Sequence, residues 1–466
     1  MDTMQFAELV VSSLPYTPTS QQVEVIAALS RFCSSRTPSD TVFLLNGYAG
    51  TGKTSLCAAL VRTLNSVGIG TVLLAPTGRA AKVLGAFAKH PSYTIHRRIY
   101  SVGGNDITSA RVLRQARNNS TNVVFIVDEA SMIGDDSSSG NLLENLVHYV
   151  YSGINCRLIL LGDTAQLPPV GCEESPAMSV KQLRSLGLRV NRAVLTATVR
   201  QASDSGILYN ATWLRRAMKK DSLPPPKLTV TPFGDVNVVD GEELEDMINE
   251  AYARDGVSQT ILITRSNKRA TEFNLAIRSR IFYSEEELAS EELLLVAKNN
   301  YYWSKEIKGL DFIANGDVAM VEKIYATESR YGHRFADVRL LLPDREITLD
   351  CKIMLDTLVS DDASMSREVM MKLYESIVAD PDDSEQSAAT RAANALKSPY
   401  FNAIQVKYAY AVTCHKAQGG QWSNVFIDMS YIPPEAMGID FYRWLYTAVT
   451  RATSNLYLLS PTVEII

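Results

Sequence analysis

The stretch GYAGTGKT, residues 47–54, restricts the fold of this chain more than any other segment. It fits the pattern G-x-x-x-x-G-K-[ST], whose glycines let backbone N–H groups wrap phosphates at a helix N-terminus. Gly47, Gly50, Thr51 and Gly52 supply the wrap, Lys53 reaches the outer phosphates, and Thr54 offers its hydroxyl to Mg²⁺. Such a loop needs a strand before it and a helix after it. TVFLLNG (41–47) is a short apolar run ending at a glycine. KTSLCAALVRTLNSVG (53–68) has apolar residues at helical spacing and Gly68 as its stop.

The same rhythm continues. TVLLAP (71–76), NVVFIVDEA (122–130) and CRLILLGD (156–163) read as buried strands alternating with helical stretches, the pattern of βαβ units and a parallel sheet covered on both faces. It resumes at residues 259–282, is lost over about 300–400, and returns at YAYAVTCHKAQG, NVFIDM and NLYLLS. The expected fold class is therefore α/β, with a second α/β domain interrupted by an insertion. Inside the insertion, NGDVAMVEKIYA and ADVRLLLPDREITLDCKIML read as strands of a small antiparallel barrel, and residues 366–396 as a helical extension.

Composition sets limits on partners. With 46% hydrophobic and 21% charged residues the chain is of ordinary globular type, and no apolar run approaches the length of a membrane span. The opening residues lack a basic n-region and a small-residue cleavage site, and the six cysteines form no C-x-x-C pair, so a reducing, cytoplasmic setting is expected. A net charge of -5 argues weakly against nucleic acid, but the distribution argues for it. Arg62 to Arg117 holds nine Lys/Arg and one acid, Asp106. That run reads either as a solvated face or as a local positive surface.

Further motifs carry chemistry. FIVDEASM (125–132) ends an apolar strand in two carboxylates, placing Asp128 to hold Mg²⁺ and Glu129 to activate water. LLGDTAQLPPV (160–170) repeats the strand-then-acid pattern, and its Gln166 can sense a γ-phosphate or merely belong to a Pro-stiffened loop. Gln22 follows a Thr/Ser cap, and its amide matches the adenine N6 donor and N7 acceptor. Arg200 and Arg451 each follow an apolar stretch and can act as arginine fingers or as structural ion-pair partners. VTCHKAQGGQW (412–422) sets a histidine and a lysine before a Gly-Gly pair, as a surface turn or as a phosphate-touching loop.

Taken in order, TSQQ, GYAGTGKT, APTGRAAKVL, TIHRRI, DEASM, GDTAQLPPV, LTATVRQ, TRSNKRATEFN, VTCHKAQGGQ and YTAVTRA resemble superfamily one DNA helicases of the B branch, in the RecD-like and Dda-like group, over residues about 18–460. The resemblance implies two RecA-like domains, 1–97 with 123–195 and 196–300 with 401–466. A strand-separating hairpin is implied at 98–122, its turn at GGN, and an SH3-like barrel with a helical extension at 301–400. It implies ATP and Mg²⁺ at the domain interface. Gln22 would read adenine, Lys53, Thr54, Asp128, Glu129 and Gln166 would serve catalysis, and Arg200 and Arg451 would complete the site. Single-stranded DNA would cross Thr77, Lys82, His96, Arg97, Arg98, Thr413, His415 and Lys416. Where the family often has a ribose-binding glutamate, this chain has Gln421, which keeps an acceptor and loses the charge.

The expected function is an ATP-dependent DNA helicase moving 5′→3′ on single strands and opening forked duplex as a monomer, away from membranes. A single-strand-binding protein or replication and recombination proteins are expected as further partners. The alternatives are an RNA helicase or nucleoprotein-remodelling ATPase of the same superfamily, and a P-loop module that uses nucleotide only as a switch.

Overall fold

The computed structural model describes every residue except 1, 35–36, 103–112, 135–140, 199–203, 306, 308–309, 311, 381–386 and 431. Among the described residues no helix is long and apolar enough to cross a membrane.

The first sheet has six parallel strands, in the order Ser92–Thr94, Gly70–Ala75, Val123–Val127, Arg157–Gly162, Thr41–Gly47 and Arg189–Leu195. Its central strands are apolar at successive positions because both faces are covered. Phe43 and Leu45 face a core shared with helices Thr3–Ser12, Ser20–Phe32 and Lys53–Ser66. Val42 and Leu44 face the opposite core with helix Leu142–Tyr151.

The second sheet has five parallel strands, in the order Val236–Val239, Ala452–Leu459, Trp422–Asp428, Thr260–Thr264 and Ala411–Thr413. Between its last two neighbours the chain builds a closed five-stranded barrel from Leu293–Val296, Val318–Arg330, His333–Leu342, Ile347–Met354 and Ile404–Tyr408. The barrel reaches beyond 301–400 at both ends. Its first and last strands, Leu293–Val296 and Ile404–Tyr408, pair with each other to close it, and short apolar runs carry no mark of which sheet they join. Helices Arg367–Val378 and Ala388–Lys397 pack on it through Leu373, Ile377 and Ala395 against Phe335 and Met354.

A two-stranded hairpin, Tyr100–Val102 against Leu113–Gln115, rises from the first sheet's region. The GGN turn expected at residues 103–105 lies outside the described residues.

Candidate functional site

The loop Tyr48–Gly52 joins strand Thr41–Gly47 to helix Lys53–Ser66. Gly50 and Gly52 have φ of 73° and 76°, which side-chain-bearing residues rarely adopt and which turn the backbone N–H groups into the concavity. Thr51 is buried, and its hydroxyl donates to the Tyr48 carbonyl at 2.7 Å. Its side chain therefore braces the loop and leaves only its backbone for a ligand.

Four charged groups converge below the loop. Lys53 Nζ is 3.9 Å from Asp128 Oδ1. Burial works against the Lys53 ammonium, but Asp128, Glu129 and Asp163 together hold its pKa above the usual lysine range. Burial also pushes the carboxyls of Asp128 and Asp163 upward, opposed in both by the Lys53 charge. Glu129 sits at φ 53°, a strained conformation for a residue with a side chain. Its Oε2 is buried without a hydrogen-bond partner, as is Oε1 of Gln166.

Two buried acceptor oxygens without donors are costly unless something supplies protons to them. A water molecule beside a phosphate chain is such a donor. The Thr54 hydroxyl and the Asp128 carboxylate are hard oxygen donors of the type Mg²⁺ takes. The residues present thus fit both a nucleotide and its metal.

The second sheet reaches this site directly. Tyr446, in helix Ile439–Val449, donates its hydroxyl to Asp163 Oδ2 at 2.6 Å and accepts the Ala49 N–H at 2.9 Å. Thr447 accepts the Leu167 N–H at 2.8 Å, and the Gln418 amide donates to the Leu167 carbonyl at 2.7 Å. Arg451 is buried. Its guanidinium donates to the carbonyls of Thr447 at 3.0 Å and Gly420 at 3.1 Å, and its charge acts on Lys53. Arg200 lies outside the described residues.

One expected nucleotide contact looks different in the structure. Gln22 is fully buried and spends its amide within the protein: its nitrogen donates to the Thr51 carbonyl at 2.9 Å and to Tyr16, and its oxygen accepts the Thr19 N–H. The physical reason is a capping box, in which Thr19 and Gln22 satisfy each other's backbone at the helix start. Here Gln22 buttresses the phosphate loop instead of presenting a free amide. Gln421 is exposed, and its carbonyl accepts a hydrogen bond from Arg79 at 3.3 Å.

The residues expected to meet a strand gather where the two sheets and the barrel adjoin. Thr77 caps helix Gly78–Ala88, and Gly419 (φ 73°) comes so close that a Cβ there would lie 3.2 Å from the Thr77 hydroxyl. Lys82 pairs with Asp344 of the barrel at 3.0 Å. The His96 ring lies 6.5 Å from that of Phe312, and Arg97 is exposed over Tyr93. Arg98 is half-buried with Nε unpartnered. Thr413 is half-buried and His415 exposed, and the Lys416 ammonium donates to Asn315 of the barrel. A cavity of about 280 Å³ opens at this seam, bounded by Lys82, Tyr93, Arg97, Phe312, Asp344 and Arg345. The basic run does not share one face throughout: Arg62 is bonded to the Ser13 carbonyl in the N-terminal helix pair.

Sequence reading missed Tyr446, Asp163, Arg79, Trp422 and the barrel's Phe312 and Asp344. Asp163 had a signal, as the acid closing a strand. The others sit in helices, at a strand's start or in ordinary loops, and only the tertiary fold brings them to the site.

Comparison with known families follows the two sheets. Residues 20–222 match the family model described as an AAA domain, and 408–459 match a UvrD-like helicase C-terminal domain. The ATP-dependent RecD2 DNA helicase of Deinococcus radiodurans is 33% identical over 172 residues, which is 36% of this chain and 21% of that protein. The ATP-dependent DNA helicase PIF6 of Trypanosoma brucei brucei is 33% identical over 137 residues, 27% of this chain and 16% of that protein.

Both of these relatives are described as ATP-dependent DNA helicases, and each is matched over well under half of this chain.

The chain spans only about a fifth of the length of the RecD2 helicase it matches, 21%. Another similar protein is the uncharacterized protein R530 of Acanthamoeba polyphaga mimivirus, 19% identical with 89% of this chain and 94% of that protein covered. Among solved helicase structures, a Pif1 helicase from Bacteroides in complex with ADP-AlF3 and ssDNA aligns at TM-score 0.46 and 15% identity, over 97% of this chain and 95% of that one.

Proposed function

We propose that the chain is an ATP-dependent DNA helicase that moves 5′→3′ on single-stranded DNA and opens forked duplex, working as a monomer in the cytoplasm. On this reading the sheets belong to two RecA-like motor domains, 1–97 with 123–195 and the chain on either side of the barrel, 196–292 with 409–466, and the hairpin at 98–122 is the strand-separating pin. The barrel, from Leu293 to Tyr408, is SH3-like, as in the Dda-like branch. One observation carries the proposal: from the second sheet's side Tyr446 bonds Asp163 and the phosphate-loop Ala49 while Thr447 bonds Leu167, beside two buried acceptors that lack donors.

The residues divide the chemistry among themselves. Backbone N–H groups of Gly50 to Thr54 and the Lys53 ammonium neutralise the phosphate chain. Held by Thr54 and Asp128, Mg²⁺ supplies further charge neutralisation at the outer phosphates. Glu129 orients a water and takes its proton, and Gln166 aligns that water with the γ-phosphate. Arg451 and Arg200 stabilise charge in the transition state from the second domain. Gln22 positions the loop, and Gln421 borders the nucleotide's ribose end. Thr77, Lys82, His96, Arg97, Arg98, Thr413, His415 and Lys416 hold the strand through its phosphates with little regard for sequence.

Motion follows if the open and closed clefts grip the strand unequally, because a ligand shifts an equilibrium only through differential affinity. The test is unwinding of forked duplexes that carry only a 5′ or only a 3′ tail, with and without ATP. ATP-dependent opening from the 5′ tail alone is expected; opening from the 3′ tail alone would overturn the polarity. Stimulation of ATP hydrolysis by poly-U in place of poly-dT would assign the motor to RNA.

A further inference from the structure

One contact between the sheets belongs neither to the nucleotide pocket nor to the set of strand contacts. Arg79 lies in the first turn of helix Gly78–Ala88, directly after its cap Thr77. Its guanidinium carbon stands 3.7 Å from the centre of the Trp422 ring, and its Nη2 donates to the Gln421 carbonyl at 3.3 Å. Trp422 opens strand Trp422–Asp428 and is buried at 5% exposure, although it comes from the other sheet.

The same short arm is held from behind by Arg451. The Trp422 N–H donates to the Arg451 carbonyl at 3.0 Å, and the Arg451 guanidinium donates to the Gly420 carbonyl at 3.1 Å. There is little slack between these anchors. A Cβ on Gly420 would fall 3.0 Å from Arg79 Nε, and one on Gly419 would fall 2.9 Å from the Ala80 Cβ. A continuous chain of contacts therefore runs from Arg451 through Gly420 and Trp422 to Arg79 and Thr77.

Resting on the motor reading above, we infer that the Arg79–Trp422 stack is a coupling pair that carries the nucleotide state from Arg451 to the strand-contacting start of helix Gly78–Ala88. On this view Arg451 turns toward a γ-phosphate when nucleotide binds, and its guanidinium then pulls on or releases the Gly420 carbonyl it holds. The arm 420–422 then moves, and the stacked guanidinium takes the helix start with it. Arg79 and Trp422 touch neither ligand on this view; they are positioning residues. A planar cation is needed on the helix and a ring on the arm, since the stack survives sliding better than a directional bond.

The test measures the affinity of the intact chain for a dT oligonucleotide in the presence of ADP and of a non-hydrolysable ATP analogue. The ratio of the two affinities is the coupling factor, expected at about fivefold or more in the unmodified protein. Arg79→Ala and Trp422→Ala each bring that ratio close to one, and the double variant brings it no lower. Trp422→Phe, which keeps a ring, retains most of it. Trp422→Ala risks unfolding because the ring is buried, so Arg79→Ala on the helix start decides the matter, with its nucleotide-free affinity for dT as the control. An unchanged ratio in Arg79→Ala overturns the coupling role, as do losses in the two single variants that multiply in the double. A ratio of one in the unmodified protein, with dT still stimulating ATP hydrolysis, overturns the coupler and leaves the motor standing. Absence of any stimulation by dT removes the motor reading and the coupler with it.

Discussion

The hydroxyl of Tyr446 joins Asp163 to the backbone of Ala49, donating to the carboxylate at 2.6 Å and accepting the amide at 2.9 Å. One phenol from the second sheet thus fixes the phosphate loop and an acidic residue below it. Burial and the neighbouring carboxylate hold this phenol's pKa well above its usual range, so it remains a donor. Tyr446→Phe leaves the buried Asp163 carboxylate and the half-buried Ala49 N–H each short of a partner. A loss of about 1–3 kcal/mol is expected in urea unfolding, with slower DNA-stimulated hydrolysis. Unchanged stability would mean that both partners find water.

Lys53→Ala removes the cation shared by Asp128, Glu129 and Asp163. Loss of one preorganised charge at a phosphoryl site costs on the order of a hundredfold or more in turnover. Steady-state hydrolysis should fall by at least that much, while dT binding without nucleotide stays measurable. Turnover at the unmodified rate would sink the catalytic assignment.

Lys416 gives a pH signature. Burial pulls its pKa down to about 8. A strand phosphate favours the ammonium, so affinity for dT should fall as pH rises through about 8 and should flatten in Lys416→Arg. Stability moves the other way. The unfolded lysine titrates near ~10.4, so from about 8 up to that value the unfolded chain binds more protons and stability rises with pH. Affinity that is level from pH 7 to 9 would remove Lys416 from the strand contacts.

Asp344 pairs with Lys82 at 3.0 Å, and on the proposed reading it competes there with a strand phosphate. Lys82 is half-exposed and Asp344 less so, and such pairs near the surface are worth about 0–1 kcal/mol. Asp344→Asn should therefore strengthen dT binding by up to roughly fivefold, and steepen its salt dependence by part of the ~0.7 log units expected per phosphate contact. Weaker binding in this variant would show that Asp344 orders the seam instead of competing for it.

Arg278 and Glu292 form a buried ion pair linking helix Asn267–Arg280 to the segment that enters the barrel, and Arg278 also donates to the Glu286 carbonyl at 2.6 Å. Removing one partner strands a buried charge. Arg278→Ala should cost about 3–5 kcal/mol in chemical denaturation, far more than removal of the exposed partner in the Arg189–Asp40 pair.

The sequence made the phosphate loop legible because its chemistry is local: glycines, a lysine and a hydroxyl in eight consecutive residues, with strand and helix on either side. The strand ending in Asp128 and Glu129 was legible for the same reason. Gln22 could be placed beside the loop but not oriented, because the capping box that claims its amide competes with any ligand. Tyr446 was hidden among apolar residues, where a ring at a domain contact reads like one in a core, and Trp422, between Gln421 and Ser423, carried no sign of the guanidinium it meets. The barrel's first and last strands were assigned to the neighbouring sheet, since pairing partners are fixed by tertiary closure.

The insertion of the barrel into the second sheet also bears on how the molecule assembles. Thr264 pairs with Thr413 although the whole barrel lies between them in the chain. The exit and re-entry points meet: the rings of Phe282 and Tyr410 are 5.0 Å apart, and Asn274 bonds the backbone of Tyr410 and Ala411. The barrel's long strands join neighbours through short turns and form early, whereas the Thr413 edge must await closure of a long loop. The closing pair of the barrel, Leu294 with Tyr408, is long-range too, so the segment after Thr413 takes its place only when both long-range closures are made.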